Sequence, residues 1–224
     1  MDRPTAFPSL RLGADTVALR SYAPLPGLGV LPVNAYLILG REPVLVDTGM
    51  AALREPFLAA LREHIDPAAL RWIWATHIDA DHIGNLRPLL EMAPQARVVT
   101  NYLGVGKLGL QDYPAERCHL VNPGQRLDLG DRRLLALRPP VYDAPETMAV
   151  FDEATGFLFS SDCFGALLPE PCEHVRELAA PQLEAGMQRW ATIDAPWLHT
   201  FDADEMARWL QAIERLAPKA VLST

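Results

Sequence analysis

The sequence predicts a mixed α/β domain with helices laid outside two packed sheets. Three observations predict it. The chain has 224 residues, half of them apolar, enough for one domain with a sizeable core. Short apolar runs bounded by Gly and Pro recur in both halves, and each half is closed by segments with helical apolar spacing. One such run, residues 70–75, passes directly into A-T-H-I-D-A-D-H-I-G-N, which reads as a turn leaving a buried strand.

Taken in order, residues 14–22 alternate loosely and read as a strand, and 24–32 as a Pro/Gly loop. Strands follow at 33–39 and 44–46, about a turn at 40–43. Asp47-Thr48-Gly49 then gives way to a helix over 51–64, whose Leu53, Phe57, Leu58 and Leu61 share one face. By position alone Asp47 is a helix cap. After the loop at 75–85 comes a short helix, 86–92, closed by Pro94, and then a strand at 96–100. Residues 102–110 have helical spacing despite three glycines. Residues 120–138 hold two strands about a Gly130-Asp131 turn, and 148–151 pairs with 156–160 across D-E-A-T-G. Helices over 175–189 and 204–216 precede a last strand at 220–223.

Composition excludes several classes. A formal charge of −8 argues against a nucleic-acid partner. No apolar run reaches the roughly 18 residues of a membrane span, and the first residues carry no secretory h-region. Cys118, Cys163 and Cys172 are scattered, which fits a reducing cytoplasm rather than a disulfide framework.

The chemistry concentrates in the loop. His77, Asp79, Asp81 and His82 fall within six residues. On an extended backbone the first three would project to one side, with His82 following as the chain turns toward the next helix. A solvated acidic loop would also account for the carboxylates. Two His and two Asp between an apolar strand and a glycine, however, form a more specific metal-binding signal than a lone His. Asp162 follows the alternating Phe157 and Phe159 and precedes Gly165. Alone it reads as a turn cap. Beside the loop it reads as a carboxylate whose two oxygens can span two metals.

T-H-I-D-A-D-H-I-G-N resembles the H-x-[HDE]-x-D-H motif of the metallo-β-lactamase superfamily, and the resemblance implies a single-domain, four-layer αββα sandwich. D-A-P-E-T-M and L-F-S-S-D-C-F-G are similar to H-W-P-D-S-M and L-F-S-x-D-x-F-G of flavodiiron proteins, so the nearest branch is the flavodiiron and oxygen-binding di-iron one. That resemblance implies two divalent metal ions, iron first, with manganese or zinc as alternatives. His77, Asp79, Asp143 and a bridging Asp162 would hold the first metal. Asp81, His82 and Asp162 would hold the second, with Asp47 buttressing the loop. The chain departs from the pattern in three ways. Asp143 stands for a His, Asp79 for a Glu, and the His expected near residue 224 is absent or was removed by truncation. His174 and His199 could substitute, but both read as surface or core residues. Carboxylates in place of imidazoles favour iron(II) or manganese(II) over zinc.

Three functions are compatible with these residues. The first is a di-iron oxidoreductase that binds or reduces dioxygen or nitric oxide as its small-molecule substrate. A separate electron-donor protein would serve it, since no flavodoxin domain follows Thr224. The second is a metal-dependent hydrolase of an ester, thioester or phosphodiester, with Asp81 orienting or deprotonating the attacking water. The third is a degenerate-site sensor or scaffold. A homodimer is left open.

Overall fold

In-and-out alternation along short strands sets the layers of this protein. The structure is a computed structural model and describes residues 3–224. A seven-stranded sheet runs in the order Cys118–Leu120, Arg97–Thr100, Trp72–Trp74, Val44–Val46, Ala35–Ile38, Thr16–Leu19, Leu10–Arg11. Its first four strands are mutually parallel. A five-stranded sheet runs in the order Arg126–Asp128, Arg133–Leu137, Ala149–Asp152, Phe157–Phe159, Ala220–Leu222. Between the sheets pack Tyr36, Val44, Val46, Trp74 and Val99 from the first and Leu134, Ala136, Val150 and Phe159 from the second. The intervening residues face outward. Leu45 and Ile73 meet Phe57, Leu58 and Leu61 of helix α1 (Arg54–Arg62) and Leu86, Leu89 and Leu90 of α2 (Leu86–Met92). Leu135 and Phe151 meet Ile213 of a helix at the far end of the chain, Ala203–Arg215. The layering is helix, sheet, sheet, helix, as expected. No helix among the described residues is long and apolar enough to cross a membrane.

The chain differs from expectation in several places: short strands at Thr5–Ala6, Leu10–Arg11 and Cys118–Leu120 are not among those expected, and the helix expected over 51–64 begins as a 3₁₀ turn, Ala51–Leu53. The strand expected over 14–22 is two strands, Thr16–Leu19 and Ser21–Leu25, and the second leaves the large sheet. It pairs with Thr5–Ala6 and with Gly29–Pro32, so the expected Pro/Gly loop at 24–32 is largely a hairpin. The prolines are tolerated because Val30, opposite Pro24, bonds away from it: its carbonyl accepts from the Leu168 N–H at 2.9 Å and needs no donor from Pro24. The helix expected over 175–189 lies further on. Val175–Glu177 is a separate 3₁₀ turn, and the helix proper is Ala180–Asp194. Pro181 decides this, because its fixed φ suits the first turn of a helix and no interior position. The segment at 102–110 does form a helix, α3 (Tyr102–Gly109), with Asn101 accepting from the Gly104 N–H at its start. Ala180–Asp194 and Ala203–Arg215 are α4 and α5.

Parallel pairing brings chemistry to one edge. Val46 and Trp74 are register partners, so Asp47 and residues 75–76 emerge side by side, tied by the Asp47 N–H to the Trp74 carbonyl at 2.8 Å. Phe159 and Leu222 are likewise partners in the second sheet, which brings Ser160–Asp162 to the same edge. The Met148 N–H to the Thr76 carbonyl, 2.7 Å, joins the two sheets there.

Candidate metal centre

The loop that follows Trp74 is not extended, as the alternation had suggested. After residue 75 it bends. The His82 and Ile83 N–H groups both donate to the Asp79 carbonyl, closing a tight turn. That turn aims His77 and Asp79 inward and leaves Asp81 with about 40% of its side chain exposed. His77 and His82 come together with ring centroids 4.0 Å apart, and both are about 1% exposed.

Each imidazole is held by its Nδ1. His77 Nδ1 meets the hydroxyls of Thr76 and Ser161, both at 3.1 Å. His82 Nδ1 lies 3.0 Å from Asp47 Oδ2. The Nε2 atoms point inward. His77 Nε2 is 3.4 Å from Asp162 Oδ2, and His82 Nε2 is 3.2 Å from Asp162 Oδ1 and 3.5 Å from Asp81 Oδ2. Potential ligand atoms of His77, His82 and Asp162 lie within 4.8 Å of one another, as do those of His77, Asp79 and Asp143. Asp143 is half-buried and accepts a hydrogen bond from the Thr147 hydroxyl at 3.2 Å. The six residues expected as ligands, His77, Asp79, Asp81, His82, Asp143 and Asp162, therefore gather around one cleft. Nitrogen and oxygen donors on two adjoining groups, with Asp162 reaching both imidazoles, fit a pair of divalent cations.

Asp47 does not cap α1 or the 3₁₀ turn before it, whose start at Met50 has no side-chain cap. Its Oδ1 accepts from the Thr76 N–H at 2.8 Å, and its Oδ2 from the Thr76 hydroxyl at 2.7 Å and from His82. D-T-G and H-I-G-N interlock further. The Thr48 hydroxyl donates to the His82 carbonyl, and Asn85 Nδ2 donates to the Thr48 carbonyl. Asp47, Ser161 and Phe164 all have positive φ, at 58°, 58° and 67°. Such backbone costs about 1–3 kcal/mol each and persists where the surroundings over-determine it. Here it concentrates around Asp162 and the buttress of His82. Asp47→Asn keeps the shape but removes the charge behind His82, and metal affinity is expected to fall about 10- to 100-fold, read by calorimetric titration with manganese(II).

Charge is unevenly placed. Burial opposes ionisation of His82, but Asp162 and Asp47 on either side hold its pKa well above the usual imidazole value. Burial likewise opposes ionisation of Asp162, yet His82 and His77 keep its carboxyl below the usual range. Burial and the charges of Asp143 and Asp81 raise Asp79 against the pull of His77. A cation entering here would displace the His82 proton and neutralise the carboxylates, so binding would release protons and stabilise the fold.

Neither His174 nor His199 reaches the cleft. His174 is exposed and accepts from the Arg176 N–H at the head of a 3₁₀ turn, and His199 is exposed in the 3₁₀ segment Pro196–Thr200. A residue not anticipated from sequence does reach it. Asp194, from α4, has a carboxylate oxygen within 4.8 Å of those of Asp143 and Asp162. Burial, then the charges of Asp162 and Asp143, push its pKa up to about 7.

Comparison with known proteins gives the family and the fold. The family model described as ODP family beta lactamase matches residues 31–224. A diflavin flavoprotein A 1 of Synechocystis sp. is 34% identical over 134 residues, which are 59% of this chain and 23% of that protein. The anaerobic nitric oxide reductase flavorubredoxin of Klebsiella pneumoniae is 31% identical over 134 residues, 59% of this chain and 28% of that protein. Among solved structures, rubredoxin oxygen:oxidoreductase from Desulfovibrio gigas superposes with a TM-score of 0.80 at 20% identity, over 96% of this chain and 55% of that one. The flavodiiron protein from Giardia intestinalis gives 0.81 at 16% identity, over 99% and 55%. At these identities the structural likeness is one of fold. The chain spans about a quarter of the length of these curated relatives and about half of the solved chains.

Proposed function

Because the chain belongs to the ODP family of beta lactamase-like domains, in the metallo-β-lactamase superfamily and nearest its flavodiiron branch, we propose that it is a binuclear, iron-preferring metal protein that binds or reduces dioxygen or nitric oxide. The observation that carries the reading is the pair of buried imidazoles whose Nε2 atoms face the two oxygens of Asp162. His77, Asp79 and Asp143 would hold one metal and His82 and Asp81 the other, with Asp162 between them. Iron held by these residues would supply the redox chemistry for a diatomic substrate. The protein's part is to hold the donors, exclude bulk water and move protons. Asp47, Thr76 and Ser161 fix the imidazoles through Nδ1, leaving Nε2 for the metal. Asp81, half-exposed beside His82, is the group placed to exchange protons with solvent. We assign the electron donor to another protein or domain.

The metal choice follows from the donors. Two imidazoles against several carboxylates make a harder set than zinc favours. Anaerobic titration with iron(II), manganese(II) and zinc(II) tests this. Iron and manganese are expected to bind more tightly than zinc, and Asp143→His is expected to shift the balance toward zinc. The iron-loaded, chemically reduced protein should then consume dioxygen or nitric oxide. A colourless zinc-selective protein with esterase activity would replace this reading with a hydrolytic one. A chain that binds none of the three metals would leave a sensor or scaffold.

A further inference from the structure

We propose that Asp194, the last residue of α4, is a metal ligand of this same centre, acting with Asp143 and Asp162 although no part of the motif announces it. The inference rests on the metal-centre reading above and adds a ligand to it.

The position is built rather than incidental. Gly186, Trp190 and Asp194 lie four residues apart and share one face of α4. Gly186 lies against the chain at Leu167, where an added Cβ would come within 2.4 Å of the Leu167 carbonyl oxygen. The Leu167 N–H donates to the Gly186 carbonyl at 3.2 Å. One turn on, Trp190 covers Gly165, whose Cβ would meet the indole at 3.1 Å. One turn further, Asp194 arrives at Asp162. The face of α4 is thus laid along residues 162–167 so that its final side chain enters the cleft.

As a structural residue Asp194 is badly chosen. A carboxylate at a helix C-terminus opposes the helix dipole, and α4 has no basic residue in its last turn to offset it. Its charged neighbours are mostly Asp162, Asp143 and Asp79, all of its own sign. Like charges so close are relieved by a shared proton or by cations among them. The same acids face an imidazole. His77 is about 1% exposed and turns Nε2 toward them, 3.4 Å from Asp162 Oδ2, which adds a nitrogen donor to the carboxylates that Asp194 joins. With Asp194 included, five carboxylates face two imidazoles. That biases the centre to harder ions than Asp143 alone would.

The metal-free chain, wild type and Asp194→Asn, is compared by calorimetric melting and by titration with manganese(II) and zinc(II). Asn preserves the shape, so the fold should survive. The variant's metal-free Tm is expected to rise, because repulsion is relieved. Its manganese(II) affinity is expected to fall about tenfold or more, the scale on which even a ligand's supporting group acts, with a smaller loss for zinc(II). Asp194→Ala, which also removes the amide oxygen, should lose at least as much manganese(II) affinity. Unchanged manganese(II) affinity in both variants, or a lowered metal-free Tm with equal losses for both metals, would overturn the proposal while leaving the metal centre standing. A wild-type chain that binds neither ion would overturn the centre itself and this ligand with it.

Discussion

Asp162→Ala is expected to release both metals together. The two oxygens of this carboxylate face different imidazoles, Oδ2 toward His77 and Oδ1 toward His82. No other acid in the cleft approaches both rings so closely, and Asp81 reaches only His82. If Asp162 is shared, its removal would deprive each ion of a donor and leave the two cations without the negative charge that screens one from the other. The loss should exceed the roughly 100-fold upper range for an outer-shell group. Metal analysis after equilibrium dialysis reads it directly. The thermal shift supplied by metal, about 2.7 kcal/mol for a ligand at a hundred times its Kd, should vanish as well. One ion retained at full occupancy would show that Asp162 does not bridge.

Gly84→Ala should act on the whole domain. A Cβ at Gly84 would lie 2.2 Å from the Ala51 nitrogen, 2.6 Å from the Gly49 oxygen and 2.8 Å from the Met50 carbonyl carbon. All three are backbone atoms and cannot swing aside. The D-T-G turn and the metal loop must separate, which breaks the Thr48–His82 and Asn85–Thr48 hydrogen bonds. A cost of about 3 kcal/mol or more is expected. For a chain of this size that corresponds to a Tm lower by roughly 2–4 °C per kcal/mol, with metal affinity falling in parallel. A variant melting within a degree of the wild type would show that the two loops are less tightly meshed than described.

Much of this was legible in the sequence, for physical reasons that differ by residue. His77, Asp79, Asp81 and His82 announce themselves because a turn leaving a buried strand has little other use for two imidazoles. Asp162 was legible only in their company. The layering was legible because Val44, Leu45 and Val46, and likewise Leu134 to Ala136, are apolar throughout and must be covered on both faces. The local path of the loop was not. Alternation suggested an extended segment, whereas the hydrogen bonds to the Asp79 carbonyl make a turn. Pro24 and Pro32 hid a hairpin because the missing donors fall where the register needs none. Asp194 was hidden more deeply. Its periodicity with Gly186 and Trp190 is present in the sequence, but what that face touches is set by the irregular segment at 162–167, which no repeat predicts. Without that contact Asp194 looks like any solvated acid on a helix.

The helix that carries Asp194 is lightly anchored. Of α4 only Gly186 is buried, and of α5 only Ile213, while α1 and α2 each bury three apolar side chains. In such a molecule opening is not uniform. The amides of α4 and α5 belong to the part that exchanges first, in excursions far smaller than global unfolding, and the central strands belong to the part that exchanges last. A carboxylate mounted on the early-opening unit leaves the cleft whenever that unit lifts. With Asp194 as a ligand, local opening would govern how fast ions come and go, and a bound ion would slow the exchange of a helix most of whose length it never touches.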